Sequence, residues 1–280
     1  MKTIRREALF LVLLAVVGSA WYAMDKHNAK EHAQQHIVLT GSSTVAPLAL
    51  AIGKRFETSH PNVRVDVQTG GSSRGIHDAR EGLCDIGMAS RNLEGGERDL
   101  IATPVARDGI CLIVNASNPI ADISDTDVVH IYTGQIRNWK DLGGTDAPIT
   151  VLNKANGRGT LEMFLLYFHL DNAQIKADVI IGDNEQAIKT VAGNPNALGY
   201  VSIGTAEYDA THGTAIRLLP VGGVPATLEN VRNGTFPLSR NLNLITREPP
   251  TGLIAEFIRY ARSDAVHDLI AAQYFAALSP

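Results

Sequence analysis

Three times along this chain a short apolar stretch runs into a turn of glycine and hydroxyl residues and then into a helix with one apolar face. That order constrains the fold more than any other feature. Each such helix must bury its stripe against a sheet, and strand, turn and helix in alternation is the pattern of an α/β protein. In the first unit Ile37, Val38 and Leu39 lead into Gly41-Ser42-Ser43-Thr44, and Leu48, Ile52 and Phe56 recur at helical spacing beyond it, with Thr44 standing where an N-cap belongs. In the second, Val63, Val65 and Val67 alternate as a strand, Gly70-Gly71-Ser72-Ser73-Arg74-Gly75 makes the turn, and Ile76, Ala79 and Leu83 line the helix. The third runs from 149–153 through Asn156-Gly157-Arg158-Gly159-Thr160 into an apolar helix over 161–170.

Between and after these units, further strands are expected at 85–89, 110–115, 199–203, 216–221 and 242–246, with helices at 185–192 and 253–274. Asp183 with Gln186 reads as a capping box, and Ser263 as the cap of a break that restarts the last helix. There is no repeat of fixed period and no low-complexity tract beyond the N-terminal region.

That N-terminal region has basic residues Lys2, Arg5 and Arg6, then an apolar run over 8–23 with small residues near its end. It is an export signal. Gly18 and Ala20 suit a cleavage site, while Trp21 and Tyr22 suit the outer interface of an uncleaved anchor, so residues 1–23 read as a signal peptide or a membrane anchor. No cysteine lies near residue 20 to carry a lipid. Residues 24–36 are polar and read as a linker. His27, His32 and His36 have a spacing that a metal would tolerate on a helix, but a solvated tether is the plainer reading, and no metal or other cofactor is expected.

The chain has 280 residues, 45% of them apolar, and a formal net charge of -4. This is enough for one or two lobes with substantial cores. The acidic balance argues against nucleic acid, whose binders carry dense basic patches, so any bound anion must meet local donors. The two cysteines, Cys84 and Cys111, fall in what reads as one lobe of an exported protein. A disulfide and two buried free thiols are both compatible with the sequence, since spacing does not supply the required Cβ geometry.

A helix N-terminus presents unpaired N–H groups and the positive end of the macrodipole, and therefore favours an anion. Small residues let that backbone approach closely, and hydroxyls add donors without charge. Any one of the three turns is ordinarily just a capped strand-to-helix connection; three that converge would make a site. Asp85 would be tolerated beside an anion only if the ligand carried a proton for it to accept, as hydrogen phosphate does and sulfate does not; otherwise it is a turn residue or strand-end cap. There is no G-x-x-x-x-G-K-[ST] loop, which removes simple nucleotide hydrolysis. Gly71-Ser72-Ser73-Arg74-Gly75 does match G-x-S-x-G, so a serine hydrolase using Ser73 is the enzymatic alternative. Against it, only one clear strand precedes the Val63 to Val67 strand that leads into the elbow, no HGGG-like loop appears, and the Asp209 with His212 and Asp264 with His267 pairs are short local ones.

At these turns the chain resembles the phosphate-binding proteins of bacterial phosphate ABC importers, from about Ile37 to the C-terminal helix. The likeness is carried by Thr40-Gly41-Ser42-Ser43-Thr44-Val45-Ala46-Pro47, Gly70-Gly71-Ser72-Ser73-Arg74-Gly75-Ile76 and Asp85-Ile86-Gly87-Met88-Ala89-Ser90-Arg91. It continues in Ala106-Arg107-Asp108-Gly109-Ile110, the 131–139 segment ending in Asn138-Trp139, Gly157-Arg158-Gly159-Thr160 and Pro237-Leu238-Ser239-Arg240. The resemblance implies a two-lobed periplasmic-binding-protein fold of class II, with the ligand cleft between the lobes and two hinge crossings. Lobe one is expected at 37–114 plus 240–280, and lobe two at 115–239. It further implies Ser43 and Thr44 as first-turn donors, Ser72 as second-turn hydroxyl, Asp85 as acceptor of the phosphate proton, and Gly159 and Thr160 as third-turn donors. Tyr132 and Trp139 are expected in the core. Where the family pattern is Arg-x-x-Gly-Ser-Gly-Thr, this chain has Lys154-Ala155-Asn156-Gly157-Arg158-Gly159-Thr160, so Lys154 and Arg158 are expected to supply the charge.

The expectation is a non-enzymatic, monomeric, extracytoplasmic protein that binds hydrogen phosphate and delivers it to the permease of an ABC importer. A binder or sensor of another oxyanion, such as sulfate or molybdate, is the alternative within the same fold.

Overall fold

The computed structural model describes residues 34–278; the expected export signal and His27 and His32 lie outside them. The first two units form as the pattern requires. Strand β1 (Gln35–Gly41) is followed by helix α1 (Ala46–Ser59), and β2 (Val63–Thr69) by α2 (Ser72–Glu81). Next come β3 (Ile86–Ala89) and the long β4 (Ile101–Asn115), then α3 (Asp125–Tyr132). The third unit is β5 (Thr150–Lys154) with α4 (Gly159–Phe168), succeeded by β6 (Val179–Ile181), α5 (Asn184–Gly193), β7 (Ala197–Ser202) and α6 (Ile203–Thr211). Then follow β8 (Ile216–Leu219), α7 (Leu228–Arg232), β9 (Ser239–Thr246), α8 (Gly252–Ala261) and α9 (His267–Ala272). The sequence pattern missed β6 and the helices α3, α6 and α7. The expected single helix over 253–274 is two, with the break falling at Ser263 as read.

The strands follow one path, β2-β1-β3-β9-β4-β7-β5-β6, with β8 also on β4. β1 runs parallel to both β2 and β3, and β5 parallel to both β6 and β7, as helical crossovers demand. β4 joins the two halves. Its first part pairs with β9 as far as Gly109 opposite Ser239, and from Ile110 onward it pairs with β7. Where the chain crosses, the Ile110 amide donates to the Leu238 carbonyl at 2.9 Å, so the two crossing segments are bonded to each other.

Each half has its own core. One gathers Ile37, Leu39, Leu48, Ile52, Phe56, Leu244 and Phe257; the other gathers Trp139, Val151, Phe164, Tyr200 and Ile110 through Val114. A fully buried side chain of this size contributes about 1.5–3 kcal/mol, so the helices are held by their apolar faces more than by propensity. Tyr132 and Trp139 are fully buried, as expected, and each donates to a carbonyl, Leu152 and Asn196 respectively.

Three expectations change. The polar linker ends sooner, because Gln35 and His36 already belong to β1, where His36 meets Asp66 across to β2. The first crossing falls at 109/110 rather than 114/115, because every residue from Ile110 to Val114 packs in the second core and pairs with β7. Cys111 therefore packs in that second core while Cys84 sits against a cluster of Ile76 and Ile245 in the other half, and both are free thiols. Burial raises the titration of both, Cys111 the more strongly.

Candidate anion-binding site

The carboxyl ends of β1, β2, β3, β5 and β6 all open onto one small polar cavity between the halves. Open α/β sheets place ligands at this position, where strands end and helices begin. Ser42, Ser43 and Thr44 follow β1; Gly71 and Ser72 follow β2; Ser90 follows β3; Lys154, Arg158, Gly159 and Thr160 close β5; Gly182, Asp183 and Asn184 follow β6.

The backbone is arranged to leave donors free. The N-caps of α2 and α4 are Gly71 and Arg158, and neither bonds its helix through a side chain. Gly71 has φ 101°, and a Cβ there would lie 2.4 Å from the Gly157 carbonyl oxygen, so only glycine lets these two turns touch. Gly159 is as tightly placed, since its Cβ would come 2.5 Å from Ser72 Oγ. At the first turn the capping hydroxyl is Ser42, whose Oγ accepts from the Thr44 and Val45 amides. That corrects the expectation that Thr44 caps α1: a residue facing the cavity cannot also turn back to its own helix. Helix α5 supplies a fourth N-terminus, where Asp183 accepts from the Gln186 amide at 2.8 Å.

Three cations converge here. Lys154 is 2% exposed, and its Nζ donates to Asn184 Oδ1 at 2.9 Å. Burial, reinforced by the positive charges of Arg240 and Arg158 and opposed by Asp183, lowers its pKa to about 7. Its strand is buttressed by Tyr200, whose hydroxyl donates to Asn153 Oδ1 and accepts from the Lys154 amide. Arg158 reaches across the cleft to Ser43 Oγ at 3.5 Å. Arg240, wholly buried under the floor, donates to Thr160 Oγ1 at 2.8 Å and to Ser90 Oγ at 3.3 Å, and approaches Thr44 Oγ1. Its charge is balanced behind the site by Asp108, which also accepts from Ser202 Oγ at 2.9 Å.

Of the residues singled out from sequence, Ser43, Thr44, Ser72, Lys154, Arg158, Gly159 and Thr160 lie together in this cavity. Asp85 does not. It is exposed, and its Oδ2 accepts from the Val38 amide at 2.8 Å, at the amino end of β3 and a strand's length from the turns. The carboxylate that does line the cavity is Asp183. Sequence reasoning saw it as a helix cap only, because nothing local says which cap faces a cleft. Ser90 and Arg240 were visible as parts of a family pattern but carried no assigned role.

The hydrolase reading loses its geometry. The Ser73 hydroxyl donates to Glu162 at 2.6 Å rather than to an imidazole. His212 bonds to the Tyr208 carbonyl on its own helix, and His267 faces Asp264 at the exposed C-terminal break. A wider cavity of about 720 Å³ shares Ser43, Thr44, Asp183 and Asn184 with the anion site and opens between Leu50 and Tyr208. No cluster of metal-ligating side chains occurs among the described residues.

The PBP superfamily domain matches residues 27–265. The phosphate-binding protein PstS of Bacillus subtilis is 31% identical over 272 residues, covering 94% of this chain and 88% of that protein. Among solved structures, a putative phosphate ABC transporter substrate-binding protein from Clostridium perfringens, with bound phosphate, superposes with a TM-score of 0.81 at 33% identity over 88% of this chain and 100% of its own. An ABC-type phosphate transport receptor from Vibrio cholerae gives 0.74 at 27% identity, over 86% of this chain and 100% of its own. The architecture is thus the two-lobed class II binding-protein fold, with its cleft between the lobes and two crossings joining them. Sharing nearly its whole length with these proteins, the chain belongs to the PBP superfamily and, within it, to the family of the phosphate-binding proteins.

Proposed function

We propose that this protein captures hydrogen phosphate outside the cytoplasm and hands it to the permease of an ABC importer, without chemistry on the ligand. The observation that carries the reading is the buried meeting of Lys154, Arg158 and Arg240 with free helix N-termini and the hydroxyls of Thr44, Ser72, Ser90 and Thr160 around one small cavity. Such a set offers donors on every side of a tetrahedral anion. Asp183 has the one acceptor-only side chain among the described residues lining the cavity, and it suits the proton of hydrogen phosphate. The likeness to phosphate-binding relatives and to a phosphate-bound structure supports the same ligand and the same importer role.

Because the donors come from both halves, they are satisfied together only when the halves close, and closure provides the signal a permease reads. In this reading the protein is a monomer that binds no nucleic acid. No helix among the described residues is long and apolar enough to cross a membrane, so retention at a membrane would fall to residues 8–23.

The deciding experiment is titration of the purified protein with phosphate, arsenate, sulfate and molybdate, read by calorimetry and by melting temperature. Phosphate should bind tightly and raise the melting temperature by mass action. A shift with sulfate or molybdate and none with phosphate would overturn the ligand while leaving the fold untouched.

A further inference from the structure

Glu162, on the first turn of α4, lies outside the anion cavity yet crosses the cleft twice. Its Oε1 accepts from Ser73 Oγ at 2.6 Å, and its Oε2 from Arg91 Nε. Both donors belong to the other half. Beside them the Ser73 amide donates to the Gly157 carbonyl at 3.2 Å, so the turn preceding α4 is held as well.

Arg91 is also held by groups of its own half. Both its terminal nitrogens bond Glu97, at 2.6 and 2.8 Å, and Nη1 also donates to the Asn92 carbonyl. Glu97 in turn accepts from the Glu94 amide, and Asn243 holds the Arg91 carbonyl. Every one of these partners lies in the same half as Arg91, so the guanidinium keeps one N–H aimed across the cleft with no side-chain entropy left to lose. With the Arg91 side chain 5% exposed and Glu162 22%, water screens the pair only weakly. Burial opposes the Arg91 charge, but Glu97 and Glu162 outweigh it and hold its pKa above the ordinary value.

We infer that Glu162 is a positioning residue that latches the cleft: by docking on Ser73 and the preset Arg91 it holds α4, and with it the anion donors Gly159 and Thr160, against the opposite half. The latch touches no ligand. It therefore governs how long the closed form lasts, not how the anion is first met, because in the open form Glu162 and Arg91 are apart and encounter is unaffected. Glu162 is the informative residue to change, since Arg91 keeps Glu97 when it is lost.

The test is stopped-flow measurement of association and dissociation on the full chain, for the parent, Glu162→Gln, Glu162→Ala and Ser73→Ala. The off-rate of phosphate should rise about tenfold or more in Glu162→Ala and less in Glu162→Gln and Ser73→Ala, with the on-rate held within about twofold. A side chain that only supported the fold would lower the melting temperature and leave this split unmoved, and an unchanged off-rate in Glu162→Ala overturns the latch. The ligand-binding arm rests on the phosphate reading, so small-angle scattering of the anion-free proteins is run beside it. A larger mean radius of gyration in Glu162→Ala supports the latch even if the parent takes no phosphate, a result that would sink the phosphate reading alone.

Discussion

Arg240 Nη2 lies 2.7 Å from Asp108 Oδ2, and both side chains are out of solvent. The two residues stand directly opposite each other on β9 and β4, within a residue or two of where both segments pass between the halves. Since Asp108 also accepts from the Ser202 hydroxyl of the second half, and Arg240 donates to the Thr160 hydroxyl, this pair ties the hinge to the floor of the anion site. Replacing one partner of a buried pair leaves the other charge uncompensated at a cost of about 3–5 kcal/mol. Asp108→Asn should therefore lower stability by that order, measured by chemical denaturation, and saturating phosphate should recover more of the variant's melting temperature than it adds to the parent's.

Lys154 supplies a pH dependence. Its pKa falls from an ordinary 10.5 to about 7 in the folded protein. Between these values the unfolded chain holds the proton and the folded one does not, so the group makes stability rise with pH from about 7 toward 10.5, and the gain is lost as pH falls through 7. The anion-free stability, measured by chemical denaturation across that window, should rise with pH in the parent and not in Lys154→Met. An anion favours the charged amine, so binding at pH 8 should take up a proton, visible as a dependence of calorimetric enthalpy on buffer ionisation that Lys154→Met lacks.

Arg158 reaches Ser43 from across the cleft and lines the cavity. Arg158→Ala should weaken phosphate binding by about 2 kcal/mol or more, since a charged donor on a desolvated anion is lost. Titration of parent and variant at one salt concentration checks it. Affinity equal to the parent's would mean that Arg158 stays at the rim.

The carboxylates divide cleanly. Asp183→Asn should let sulfate bind while phosphate holds or weakens moderately, because two unbridged negative groups no longer face each other. Asp85→Asn should leave the phosphate-to-sulfate ratio unchanged, since Asp85 only receives the Val38 amide at a strand edge. Both ratios are measured at fixed pH, and a changed ratio in Asp85→Asn alone would reverse the assignment.

The thiols should behave independently. Cys84 is partly exposed and Cys111 fully buried in the other half. A maleimide at neutral pH should label Cys84 in the native protein and Cys111 only after denaturation. Mass spectrometry of the non-reduced protein should show both thiols free.

Much of this architecture was legible in the chain because it is local. The alternation at Val63, Val65 and Val67 fixes which face of β2 is buried, the spacing of Leu48, Ile52 and Phe56 fixes the stripe of α1, and glycines at 71 and 159 mark backbone that must approach closely. Ser43, Thr44, Ser72, Gly159 and Thr160, which the family resemblance implied as donors, stand in these local turns and line the cavity. What the tertiary structure decided was which distant groups share that space. Asp85 and Asp183 each sit beside a strand, but they lie at opposite strand ends, so only one faces the cleft. Arg240 reaches the floor because β9 pairs with β4 some 130 positions earlier in sequence, an arrangement set by strand order. The crossing at 109/110 and the separation of Cys84 from Cys111 follow from the same cause. A strand's period is written in its residues, whereas its neighbours are chosen by the packing of the whole sheet.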